Sequence, residues 1–172
     1  MLFAWSRPAA ASTRLAVVVL ADDAALSNNL TEVAISSLAE KPGYELLGMR
    51  ELEGRLNELS TVRTEGLRAC LTSAPCLAEL GALVGAERAV IGDVRSEGER
   101  FRLEFSLVDM KTAAVEARLT RESSSEVDAL IGAVQAGVFE LVPDAVPAPQ
   151  ATPPAPATSP PPKAQTTRSP SE

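Results

Sequence analysis

The chain has 172 residues, 45% of them apolar, with a formal net charge of −7 at neutral pH and no histidine. That length allows one domain with a core of ordinary size, and the negative charge disfavours a nucleic-acid surface, which needs Lys and Arg to neutralise phosphates. Without histidine the usual general base and the commonest metal ligand are missing, and two cysteines are too few for a Cys/His zinc site, so no cofactor is expected.

The opening stretch MLFAWSRPAAAS has only a brief apolar run, Leu2 to Trp5, with no basic segment before it, which falls short of the usual export-signal layout. Yet Pro8-Ala9-Ala10-Ala11-Ser12 looks like a small-residue cleavage region. Two readings stand for residues 1–13: the remnant of an export signal that begins upstream of a misplaced start codon, or a disordered tail. The first places the protein in the periplasm or envelope and the second in the cytoplasm. The longest apolar run, Leu15 to Ala21, is far below the roughly 18 to 20 residues that span a bilayer, so no transmembrane segment is expected.

Leu15 to Ala21 is apolar at every position, the pattern of a central parallel strand buried on both faces. Leu26, Leu30, Val33, Ala34 and Leu38 then recur at helical spacing until Pro42-Gly43, and Tyr44 to Leu47 returns as a short strand. This is a β-α-β unit, which places its two strands parallel. Met49, Leu52, Leu56 and Leu59 mark a short amphipathic helix, and a polar stretch from Ser60 to Glu65 leads to a helical turn around Leu67 to Leu71. Pro75 opens the next helix, Leu77, Leu80 and Val84 form its inner stripe, and Gly85 is placed to close it in the left-handed conformation.

Residues Ala86 to Leu119 read as three consecutive strands. Phe101, Leu103, Phe105 and Leu107 alternate with Arg100, Arg102, Glu104 and Ser106, and Val115, Ala117 and Leu119 alternate with Glu116, Arg118 and Thr120. The connections have hairpin length, with Gly98 able to supply a positive φ. The result is an antiparallel meander with one core face and one wet face. Ser123 and Glu126 stand at capping-box spacing ahead of a last helix, whose apolar stripe runs from Val127 to Leu141. From Pro143 onward the chain holds ten of its thirteen prolines and reads as an extended, disordered tail. The expected class is α+β, or α/β by a looser count: a five-stranded mixed sheet of order 2-1-3-4-5, with helices packed on one face.

Few residues carry chemistry. Cys70 and Cys76 lie six apart across a turn; in an oxidising compartment they form a disulfide, and in the cytosol they are two buried thiols. Asp22 and Asp23 follow the central strand, at the end where open α/β sheets tend to bind ligands, and helix capping is the plainer use for them. No glycine-rich phosphate loop accompanies them. Gly92 marks close packing or a bulge. The last strand of the meander, with Glu116, Arg118 and Arg121, offers an edge that either accepts a partner strand or uses its charges to block aggregation.

Cys76-Leu77-Ala78-Glu79-Leu80-Gly81, followed by Val84-Gly85-Ala86 and Ala89-Val90-Ile91-Gly92-Asp93-Val94, resembles a passage of the N-terminal domain of TolB and related envelope proteins. FSLVDMKTAAVEAR is similar to the hairpin that follows there, with Ala113 where that family commonly has glycine. Related domains occur in the curli-secretion lipoprotein and in flagellar outer-membrane proteins of the FlgO type. The resemblance covers about residues 14 to 142. It implies a non-catalytic periplasmic or envelope domain that binds other proteins. The alternative from the residues alone is a cytosolic ligand sensor or enzyme with a pocket at Asp22 and Asp23.

Overall fold

In the computed structural model, which describes residues 12–59 and 66–145, the unbroken apolar run after Arg14 forms the middle of the sheet. Strand β1 (Thr13–Leu20) pairs in parallel with β2 (Tyr44–Leu47) on one side and with β3 (Arg88–Glu97) on the other. Strands β4 (Arg100–Asp109) and β5 (Val115–Ser124) continue antiparallel, giving the order β2-β1-β3-β4-β5. The mixed sheet, its order and the α+β class are as expected.

The helices, however, do not all pack on one face. Helices α1 (Ala24–Leu38) and α5 (Val127–Leu141) cover one side, while α2 (Met49–Leu56), α3 (Gly66–Thr72) and α4 (Ala74–Val84) cover the other. The reason lies in β1. Its alternate side chains point to opposite sides, so Leu15, Val17 and Val19 belong to the first core and Ala16 and Val18 to the second. A strand apolar at every position needs cover on both faces.

Strand β2 ends at Leu47, opposite Ala16, and leaves the outer edge of β1 beyond that point without a strand neighbour among the described residues. Helix α1 satisfies it with side chains. The Val19 amide donates to Thr31 Oγ1 at 2.9 Å and the Ala21 amide donates to Ser27 Oγ at 2.8 Å. Buried backbone donors must be paired, and these hydroxyls, themselves buried, do it without another strand.

Phe105, fully buried, is the largest side chain of the α1/α5 core. It fits because α5 and β3 carry glycine where they meet it: a Cβ on Gly137 would lie 2.6 Å from the ring and one on Gly92 3.0 Å from it. Gly92 therefore marks close packing, as expected. Helix α4 ends at Gly85 in the left-handed conformation, with φ 69°. The β4–β5 turn places Ala113 at φ 56°, a conformation that disfavours any side chain. That turn is held by Asp109, which accepts from the Thr112 amide and hydroxyl and whose carboxyl is thereby kept below its ordinary pKa.

The capping box at Ser123 and Glu126 does not form. Ser123 is still paired with Phe101 in the sheet, and Glu126 caps α5 without a side-chain hydrogen bond. After α5 the chain returns to the β2 edge, where the Tyr44 hydroxyl donates to the Pro143 carbonyl at 2.8 Å. Buried Lys41 lies there, 3.0 Å from Asp144 and 4.3 Å from the centre of the Phe139 ring. The readings of residues 1–11 as leader or tail, of 60–65 as a polar link and of 146–172 as an extended tail lie outside the described residues.

Candidate functional site

Three places bear on function: the carboxyl end of β1, the cysteine pair, and the part of the meander that no described helix covers. At the first, a cleft of about 550 Å³ opens between α1, α2 and α3, lined by Asp22, Ser27, Asn28, Glu53 and Arg68 among others. Asp23 is not free to bind there. It is the N-cap of α1, its Oδ1 accepting from the Leu26 amide at 2.8 Å. Arg68 is committed as well, donating to the Ala21 carbonyl at 2.9 Å and reaching Asp93 at 3.4 Å. It ties the end of β1 to the middle of β3. Sequence reasoning missed it, because nothing local announces that an arginine after a polar link will reach two separate strands. The side chains of Asp22, which is exposed, Asn28 and Glu53 have no hydrogen-bond or ion-pair partner among the described residues. Among those residues no group of three or more Cys, Asp or Glu is placed to hold a metal ion.

The second place is structural. Cys70 on α3 and Cys76 on α4 form a disulfide with a Cα–Cα distance of 5.2 Å, and both are buried in the core beneath these helices. The bond ties two short helices that share a turn at Ser73, whose amide donates to the Cys70 carbonyl at 3.0 Å.

The third place is the open face. Helices α2 to α4 lie over β1 and the first half of β3, so from Asp93 onward the meander presents bare polar side chains on that side. Asp93, Arg95 and Glu97 on β3 face the same way as Arg100, Arg102 and Glu104 on β4, and Arg118, Thr120 and Glu122 on β5 extend the surface. The register sets like charges side by side. Asp93 lies opposite Glu104, and Arg95 lies opposite Arg102. Their compensation runs along the strands instead, with Arg95 2.8 Å from Asp93 and Arg102 3.1 Å from Glu104. One acidic pair, Asp93/Glu104, thus lies beside one basic pair, Arg95/Arg102, around a shallow hollow of about 250 Å³, while Glu97 opposite Arg100 and Arg102 opposite Glu122 bring unlike charges together.

The three edge residues expected to act together are divided. Arg118 faces the open side, whereas Glu116 reaches Arg88 at 3.0 Å, and Arg88, in register with Leu15, lies on the α1/α5 side. Arg121 points to the helix-covered side and pairs with Glu140 of α5, its Nε buried without a partner among the described residues. The β-bulge between Leu107 and Val108, which leaves Glu116 opposite no β4 residue, explains part of the division; strand alternation explains the rest.

Comparison with known proteins shows what this fold is shared with. No protein-family model and no curated protein sequence matches the chain. Solved structures do. The C-terminal domain of LpoB from Salmonella enterica superposes at a TM-score of 0.53, with 16% identity over 68% of this chain and 86% of that one. Lipoprotein GNA1162 from Neisseria meningitidis superposes at 0.53, with 14% identity over 74% of this chain and 96% of that one. The chain has the fold of these domains. TolB from Acinetobacter baumannii aligns at 0.46 and 11% identity, over 74% of this chain and 26% of its own. At such identities the likeness is one of architecture. No single described helix is long and apolar enough to cross a membrane.

Proposed function

We propose that this chain is an exported, non-catalytic protein-interaction module of the cell envelope, which meets its partner with the open face of the meander. The carrying observation is the pairing of like charges on that face. Like charges directly opposite each other in a sheet are destabilising, and Asp93/Glu104 and Arg95/Arg102 do nothing for the core. A surface that keeps an acidic pair beside a basic pair is suited to register against a complementary one.

Two further observations support the reading. A closed disulfide buried in the core fits an oxidising compartment. One of the neighbours that shares the fold is a lipoprotein. The alternative, a cytosolic ligand sensor or enzyme at Asp22 and Asp23, has less support, since Asp23 and Arg68 already hold the fold together. It would regain ground if Asp22→Ala abolished binding of a defined metabolite while leaving the melting transition unchanged.

The proposal is tested by fractionating the protein's own host and measuring intact mass with thiols alkylated before and after reduction. The expected result is protein in the envelope or periplasmic fraction, with Cys70 and Cys76 alkylated only after reduction. Cytoplasmic protein carrying two free thiols would overturn it.

A further inference from the structure

Strand β5 is the edge of the sheet, ten residues long and free of proline, and no described strand pairs with its outer side. Its open-side charges are unevenly satisfied. Arg88, Arg95, Arg100, Arg102 and Arg121, the other arginines of the meander, each have a carboxylate within ion-pair distance. Arg118 has none among the described residues, and its neighbour across the β4–β5 ladder is Ser106. Two positions further along the same face is Thr120, and two beyond that is Glu122, whose Oε2 lies 3.3 Å from Arg100 Nη1 while Oε1 has no partner among the described residues.

We propose that the outer edge of β5 pairs antiparallel with the β5 of a second copy, joining two five-stranded sheets into one of ten strands. Laid against itself with Thr120 opposite Thr120, the strand sets each Arg118 opposite the partner's Glu122, twice per dimer. The unpaired guanidinium and the free carboxylate oxygen then meet on the open face, and Glu122 sits between Arg100 and the partner's Arg118. The strand thus supplies its own complement, and the register is chosen by charge. A two-residue slip in one direction would set Arg118 opposite the uncharged Thr120, and a slip in the other would set it opposite the uncharged Ser124, so either loses both charge pairs. The pairing stands apart from any other protein bound to the open face. It doubles that face and leaves it exposed.

The test is sedimentation of the full chain, disulfide intact, across a concentration series, for wild type, Arg118→Glu and Glu122→Arg, with a melting curve for each. Wild type is expected to dimerise. Each single variant sets like charges opposite each other twice, and its dimer dissociation constant should rise at least about tenfold. Mixing the two variants should restore association, because both cross-strand pairs of the mixed dimer are again of opposite charge. Thr120→Lys, which sets two lysines together on the two-fold axis, should weaken the dimer without touching either pair and serves if Glu122→Arg does not fold. A wild type that stays monomeric throughout the series, variants that dimerise as well as wild type, or a mixture that does not re-associate would each overturn the proposal.

Discussion

The two halves of the sheet are built on opposite rules. In the parallel half, β2-β1-β3, the central strand is apolar at every position from Leu15 onward and lies between two helical layers. In the antiparallel half, β4 and β5 alternate, with Leu103, Phe105, Ala117 and Leu119 against α5 and arginine and glutamate on the bare side. The central strand of the first half is core on both faces. The second half is half core and half surface, and the surface has charge order that the core does not require.

Neighbouring residues on β4 expose the contrast most directly. Phe105→Ala, on the helix-covered side, should destabilise by about 4 kcal/mol, read as a fall in the denaturation midpoint. Glu104→Ala, one residue away on the bare side, belongs at the other end of the scale. It should change stability by no more than about 0.5 kcal/mol, because its pair with Arg102 is nearly half exposed. Equal effects would erase the distinction between the two faces.

Between these extremes, the parallel half depends on two local devices. Opening the Cys70–Cys76 bond by paired Cys→Ala substitution should cost about 2 kcal/mol, the loop-closure value for so short a ring. Thr31→Val removes the acceptor of the buried Val19 amide and should cost about 1 to 3 kcal/mol, with faster hydrogen exchange confined to the carboxyl end of β1. In the antiparallel half, Ala113→Gly relieves a left-handed alanine and should stabilise by about 1 kcal/mol, seen as a rise in melting temperature. The Asp109 carboxylate in the same turn works with pH. Its pKa is depressed in the folded state, so its stabilisation is present above the ordinary value of 3.8 and lost as pH falls through the lower folded value.

Much of this architecture was legible in the sequence. The apolar run Leu15–Ala21 announced the buried strand, the alternation from Phe101 to Leu107 announced the meander, and Gly85 announced the end of α4. What escaped depends on where segments meet. The all-apolar β1 demands helical cover on both faces, but no residue within a helix says which side it takes. Ser123 and Glu126 have the spacing of a cap, and spacing cannot tell that Ser123 is still held by Phe101. The pairs of like charge appear only once the register is known, since a one-residue slip would send every side chain to the other face. Ser27 and Thr31, four apart on an otherwise apolar helix face, were the available signal that α1 binds backbone. Arg68 gave none.

The central claim is that the bare face of the meander is a contact surface. A photo-cross-linking residue placed in the host protein at Arg102, and separately at exposed Glu32 on the outer side of α1, tests it most directly. The account predicts a defined envelope protein captured from position 102, lost when Glu104 is changed to Arg, and absent from position 32. Capture of the same protein equally from both positions, or from position 32 alone, would contradict it.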